Sequence, residues 1–188
     1  IMKELGSDEA SAASVGEIIV QDMGMSAKIL QLVNSSFFGM PRHISSVKEA
    51  VVLLGIDVVK TLVLGIEVFS KFKNALAVLP VNAIHQHCVR TAAVARELVL
   101  AEGMDQDTAD NAMICGTLHD IGRLLLAEHF PDQYRQVTEL IETSDMPVFK
   151  AEKKVFNVTH GEVGAYLLGL WGLPDDIIEG IAFHHAPG

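Results

Sequence analysis

The sequence is poor in cysteine, in clustered basic residues and in long apolar runs. Only Cys88 and Cys115 occur among its 188 residues, and both lie in apolar surroundings, where a free thiol packs as a small hydrophobic side chain. This usage predicts a reducing compartment and no structural disulfide.

The longest apolar runs, such as residues 75–81, are far too short to span a bilayer, and the N-terminus shows no signal-peptide pattern. We therefore expect a cytoplasmic protein without membrane association.

The shortage of basic residues also limits the partners. The chain has 14 Lys and Arg against 24 Asp and Glu, which gives a formal net charge of -10. Nucleic acids and anionic membrane surfaces are bound mainly through clustered lysine and arginine, and no such cluster occurs. Neither is expected as a partner. A glycine-rich phosphate loop, the usual nucleotide-binding motif, is also missing.

Helix signals dominate the chain, and no segment alternates polar and apolar residues for long enough to predict a sheet. Three pairs have the spacing of a capping box: Ser14 with Glu17, Ser46 with Glu49, and Thr159 with Glu162. Gly55 is a natural stop for a helix, and Asn34 is expected to cap the end of an earlier one. The sequence predicts an all-α fold.

Pro80 separates two groups of predicted helices. Residues 1–78 predict an N-terminal helical bundle, and residues 79–188 predict a second helical unit. With 49% hydrophobic residues, the chain can form one sizeable core or two small ones. Because the chain starts at Ile1 without an initiator methionine, we expect it to be part of a longer, multidomain polypeptide.

The second unit is expected to open with a long helix over Val81–Ala101. Asp107 is expected to cap the next helix, which would carry His119 and Asp120 through its middle and end before Pro131. This arrangement would place two metal-ligand types inside an otherwise apolar helix.

His119 and Asp120 are the most informative residues of the chain. They lie within residues 113–126, an apolar segment whose composition predicts burial. A buried carboxylate costs free energy unless a basic group or a cation neutralises it, so Asp120 needs one of these partners. From this dipeptide alone, a hydrogen bond to the neighbouring histidine and a bound metal ion are equal alternatives.

Further histidines favour the metal. His160 is expected in the first turn of a helix, where the neutral imidazole that binds metals is favoured, and His184 and His185 are expected to close the last helix. Imidazole nitrogen and carboxylate oxygen together suit iron, manganese, zinc, cobalt or nickel. Three other histidines are expected at the surface or in packing roles: His43, His85 and His129. His87 is not one of them, because it lies in a helical segment and could join the other candidate ligands.

The order His87, His119-Asp120, His160 and His184-His185 resembles the HD superfamily of metal-dependent phosphohydrolases. Residues 22–39, 44–55 and 160–174 resemble further motifs of the HDOD domain, a regulatory branch of that superfamily related to the HD-GYP phosphodiesterases, so the resemblance covers nearly the whole chain. It implies an N-terminal helical bundle packed on an HD-like helical core. It also implies a metal site with six ligands: His87, His119, Asp120, His160, His184 and His185.

Departures from the catalytic branch decide between two functions that the resemblance implies. Arg123 stands where the phosphodiesterases have lysine, and the chain stops before the aspartate that ends the HD pattern. We therefore expect a non-catalytic signal-transduction module that acts through protein partners or attached signalling domains. The alternative is a phosphohydrolase acting on a nucleotide or cyclic dinucleotide, in which Asp120 would bridge two ions and Arg123 would orient the substrate phosphate.

Overall fold

The computed structural model of the chain describes residues 19, 23–34, 40, 42–70, 72 and 75–186. No strand occurs in these ranges and most of their residues are helical, so the all-α prediction is confirmed. The predicted capping box of Ser14 and Glu17 lies outside the described residues. In the described part of the chain, no helix has both the length and the apolar character needed to cross a membrane.

The helices follow one another along the chain with short connections. In chain order they are α1 Met23–Val33, α2 Val47–Leu54, α3 Ile56–Phe69, a short 3₁₀ helix Ala75–Ala77, α4 Val81–Ala101, α5 Gln106–Leu118, α6 Ile121–His129, α7 Pro131–Ser144, α8 Val148–Phe156, α9 His160–Leu170 and α10 Asp175–Ala182.

The chain forms two compact units, Ile1–Glu67 and Val68–Gly188. The division falls inside α3, whereas the sequence placed the boundary after residue 78, near Pro80. Every predicted metal ligand belongs to the second unit.

The first unit shows how polar side chains end and begin its helices. Asn34 follows α1 and caps it, as predicted, because its Nδ2 donates to Leu30 O at 2.9 Å. The same side chain bonds both backbone groups of Ile44, accepting from its amide at 2.7 Å and donating to its carbonyl at 2.8 Å. Ser46 caps α2 by accepting the Glu49 amide at 3.2 Å. Asn34 therefore ties the end of α1 to the segment that leads into α2.

Helix α5 begins two residues earlier than predicted. Its N-cap is Asp105, whose side chain accepts the Thr108 amide at 2.8 Å, and the predicted cap, Asp107, lies in the first turn. Both residues are acidic, so the local pattern does not distinguish them. Asp105 has the extended backbone, with φ −73° and ψ 167°, that an N-cap adopts.

The single helix predicted through His119 and Asp120 is wrong, because α5 and α6 meet at this pair. In a continuous helix the Asp120 amide would donate to Gly116 O. The His119 Nδ1–H donates to that carbonyl at 2.8 Å, and Asp120 has φ −95° and ψ 5°, outside the helical region. Apolar residues on both sides keep the helical period, so the sequence pattern hides the break.

The remaining predicted ligands lie at the start of α9 and just after α10. The capping box at the start of α9 is confirmed, since the Glu162 amide donates to Thr159 Oγ1 at 3.3 Å and the Thr159 amide donates to Glu162 Oε2 at 2.6 Å. His160 is the first residue of this helix. His184 and His185 were expected to close the last helix, but α10 ends at Ala182 and both histidines lie just beyond it.

Candidate metal centre

The structure brings the six predicted ligands together as two neighbouring clusters. His87 on α4 joins His119 and Asp120 at the α5–α6 junction, and the second cluster is His160, His184 and His185. Within each cluster the ligand atoms lie within 4.8 Å of one another. The clusters touch, because the ring centroids of His119 and His184 are 5.1 Å apart.

Asp120 connects the two clusters. Its Oδ1 lies 3.3 Å from His160 Nε2 and 3.8 Å from His119 Nε2, so one carboxylate oxygen faces a histidine of each cluster. Its Oδ2 accepts a hydrogen bond from Arg123 Nη1 at 2.9 Å. Arg123 is therefore the basic partner that the buried carboxylate needs, whereas the neighbouring His119, at 3.8 Å, is too far away for a hydrogen bond.

The Asp120 carboxyl remains ionised although only 4% of the residue is exposed. Burial alone would raise the pKa of this carboxyl, but the Arg123 guanidinium, with His119 and His160, holds the pKa below its ordinary value. Asp120 is an anion at neutral pH, and its Oδ1 faces the space between the histidines of the two clusters.

Three histidines have their rings oriented by an acceptor at Nδ1. His119 Nδ1 is 2.8 Å from Gly116 O, His184 Nδ1 is 2.7 Å from Ile181 O, and His160 Nδ1 is 2.5 Å from Glu152 Oε2. Carbonyl and carboxylate oxygens only accept, so each Nδ1 carries a proton. This leaves Nε2 as the nitrogen that can bind a metal, and all three Nε2 atoms face the shared space between the clusters.

The geometry of the second cluster would suit a cation. His160 Nε2 lies 3.1 Å from His184 Nε2 and 3.1 Å from His185 Nε2. One proton can be shared by only two of these nitrogens, whereas a metal ion can be bound by all three. Burial lowers the pKa of His184. His185 is exposed as a whole residue, but its ring is partly desolvated, and this desolvation together with the neighbouring His184 lowers the pKa of His185 to about 4. Both rings therefore favour the neutral form that binds metals.

Ligand exposure increases across the site. His160, Asp120 and His119 are buried, His184 is half-buried, and His87 and His185 are exposed. An ion can therefore reach the ligands from the exposed side. His43 and His129 are exposed and His85 is half-buried, and none of these three belongs to either cluster.

Sequence reasoning missed three residues that support the ligands. Glu152 is fully buried and bonds His160, Tyr134 donates to Glu152 Oε1 at 3.1 Å, and Phe149 stacks on His185 with ring centroids 4.5 Å apart. Glu152 stands beside Lys153 and Lys154, and such a charged run is typical of a solvated helix face. Nothing in that local pattern could have identified Glu152.

Lowering the pH should destabilise the metal-free protein between about pH 6.5 and about pH 4. Burial lowers the pKa of His119, His184 and His185 in the folded state. In the unfolded chain these histidines titrate near about 6.5, so the unfolded state binds protons in this range that the folded state does not. Stability therefore falls as the pH falls, and urea unfolding across the range measures the slope.

The matched variants for this test are His184→Gln and His129→Gln. The first removes one histidine with a lowered pKa and should reduce the slope, while the second removes an exposed histidine and should leave the slope unchanged. Equal stability of the wild-type protein at both ends of the range would contradict the prediction.

The fold resembles that of known proteins. Three solved structures each align with 98–99% of this chain. An HDOD domain protein of unknown function from Geobacter sulfurreducens is 24% identical with a TM-score of 0.78, and the alignment covers 61% of that chain. A candidate phosphohydrolase from Shewanella amazonensis SB2B is 23% identical (TM-score 0.73, 65% of that chain covered), and a candidate signal transduction protein from Marinobacter aquaeolei VT8 is 24% identical (TM-score 0.74, 42% of that chain covered). At these identities the likeness shows the fold alone.

The chain spans 36% and 26% of the lengths of two curated relatives that it matches. The family comparison is more specific, because the HDOD domain matches residues 1–187. The chain belongs to the HDOD domain family.

Proposed function

We propose that this HDOD domain is a regulatory, signal-transducing module built around a metal centre, without hydrolytic activity of its own. The observation that carries the proposal is the convergence of His184 Nε2 and His185 Nε2 on His160 Nε2, each at 3.1 Å, with Asp120 Oδ1 at 3.3 Å from the same nitrogen. His87 and His119 extend this ligand set.

The donor set favours a transition metal. Five imidazoles and one carboxylate oxygen suit iron, manganese, zinc, cobalt or nickel, and they are a poor match for calcium or magnesium, which prefer oxygen ligands. When bound, such an ion would act as a Lewis acid and would hold the helices of the second unit together. The protein would orient the imidazole rings and keep them in the neutral form that binds a metal.

The charge of the site favours a structural or sensing ion. Asp120 is the one acidic ligand among the described residues of the two clusters, and Arg123 already neutralises it at 2.9 Å. Two divalent cations would meet little compensating charge here, so we expect a single ion. Arg123 is also occupied, since its Nε is 3.4 Å from the Tyr134 hydroxyl, and a phosphate would have to displace both contacts.

One observation favours the phosphohydrolase alternative. Asp120 Oδ1 faces a histidine of each cluster, as a carboxylate shared by two ions would. In that case Asp120 would be the shared ligand, and Arg123 would have to leave Asp120 before it could orient a substrate phosphate.

We also propose that the partners are proteins or attached signalling domains. The net charge of -10 disfavours nucleic acid and anionic membranes, and the chain spans only part of its relatives. A domain of this kind would transmit a signal through its surfaces, with the metal centre maintaining the arrangement of the helices.

Metal analysis and a hydrolysis assay on the same purified protein test the proposal. We expect roughly one divalent transition-metal ion per chain and no turnover of bis-p-nitrophenyl phosphate or cyclic di-GMP. Turnover that is lost in Asp120→Ala would establish the phosphohydrolase alternative. Protein that neither contains nor takes up zinc, cobalt, nickel, manganese or iron would rule out the metal centre.

A further inference from the structure

We propose that Glu152 is a positioning residue for the metal centre, which fixes the His160 ring with Nε2 directed at the ion and strengthens metal binding. This inference rests on the metal centre proposed above. It concerns a residue that lies outside both ligand clusters and that directs one ligand through hydrogen bonds.

Glu152 holds His160 by two contacts with one oxygen. Its Oε2 accepts the backbone amide of His160 at 2.8 Å and faces Nδ1 of the same residue at 2.5 Å. Glu152 is 0% exposed and His160 is 1% exposed, so water does not compete for these bonds. A carboxylate at Nδ1 fixes the tautomer and makes Nε2 a stronger donor to a metal.

The other oxygen of Glu152 links it to the opposite side of the site. Tyr134, which is 1% exposed, donates its hydroxyl to Glu152 Oε1 at 3.1 Å, and Arg123 Nε lies 3.4 Å from that hydroxyl. Arg123 in turn bonds Asp120, whose Oδ1 faces His160. Asp120, Arg123, Tyr134, Glu152 and His160 therefore form a closed polar ring, in which Glu152 and Arg123 orient the two buried ligands.

Helix α8 supports a second ligand from the same face. Phe149 lies one turn before Glu152, and its ring stacks on His185 at an interplanar angle of 19°. One short helix thus contacts two of the three histidines in the second cluster. This placement indicates that α8 sets the distance between His160 and His185.

The test compares the zinc affinity of the wild-type protein with that of Glu152→Gln and Glu128→Gln, by competition with a chromophoric chelator. Glutamine has the shape of glutamate and can accept both His160 bonds, but it lacks the charge that strengthens the imidazole donor. We expect zinc binding about 10–100-fold weaker in Glu152→Gln. Glu128 is the matched control, because it is a half-buried carboxylate that accepts the Ala75 amide at 2.9 Å and belongs to neither cluster.

The outcomes separate this inference from the proposed function. Wild-type protein that binds none of zinc, cobalt, nickel, manganese and iron would remove both. Wild-type protein that binds zinc, with Glu152→Gln equal to it in affinity, would leave the metal centre standing and overturn the positioning role. Equal weakening in Glu152→Gln and Glu128→Gln would also overturn that role, because it would show a general loss of stability.

A second measurement needs no variant, which keeps the inference testable if Glu152→Gln does not fold. Nitrogen-15 spectra of the histidine side chains in the zinc-loaded wild-type protein should show His160 with a hydrogen-bonded proton on Nδ1 and zinc on Nε2. Zinc on Nδ1 of His160 would overturn the assignment of Glu152.

Discussion

Replacing Asp120 with alanine should abolish metal binding and lower the free energy of unfolding of the metal-free protein by about 3–5 kcal/mol. Asp120 is 4% exposed, and its carboxylate is the charge partner of the partly buried Arg123 at 2.9 Å. The variant would leave the guanidinium without its counter-charge and would remove the oxygen that faces both clusters. Zinc titration and urea unfolding measure the two effects.

The double variant Asp120→Ala, Arg123→Met separates the two effects. Methionine has a flexible apolar side chain and brings no charge, so part of the lost stability should return while zinc binding should not. If Asp120→Ala alone keeps the wild-type zinc affinity, Asp120 is not a ligand. If the double variant is no more stable than the single one, the unpaired charge of Arg123 is not what destabilises the fold.

Replacing Gly122 with alanine should destabilise the fold and displace a candidate ligand, although Gly122 itself belongs to neither cluster. A Cβ atom at this position would lie 2.0 Å from His160 O and 2.7 Å from His160 C, so the start of α9 would have to move away from α6. Overpacking of this kind costs about 1–3 kcal/mol and sometimes more. His160 would also move away from Asp120, and zinc affinity should fall together with stability.

Gly169→Ala is the matched control, because it makes the same change within α9. The new Cβ would lie 3.6 Å from Ile178 Cδ1, an ordinary contact, and alanine favours a helix over glycine by about 0.5–1 kcal/mol. This variant should be as stable as the wild type or more stable, with unchanged zinc affinity. Indistinguishable behaviour of the two variants would show that the close approach at Gly122 does not position the site.

Local signals in the sequence predict much of the fold. The long helix α4 has the predicted bounds Val81–Ala101, and the capping box at Thr159 places the start of α9 correctly. Both features depend on residues within a few positions of each other, where the side chain that caps and the amide that it caps are neighbours in sequence. Such elements can be predicted from a single chain.

The supporting groups of the site could not be predicted because they act over larger distances in sequence. Glu152 bonds His160 eight residues later, and Tyr134 reaches Glu152 across 18 residues. The break at Asp120 is accompanied by a bond from the His119 side chain to Gly116 O, and neither feature changes the apolar pattern of the sequence. The candidate ligands were predicted from their chemistry and from the resemblance of their order to the HD superfamily, whereas the groups that orient them become visible only in three dimensions.

Anomalous diffraction at a metal absorption edge, from crystals of the protein grown with zinc, tests the central claim most directly. The account predicts an anomalous peak among the Nε2 atoms of His160, His184 and His185 and the Oδ1 of Asp120, with Arg123 still paired to the other carboxylate oxygen. A peak elsewhere on the chain, or these side chains directed to separate places with no peak between them, would contradict it.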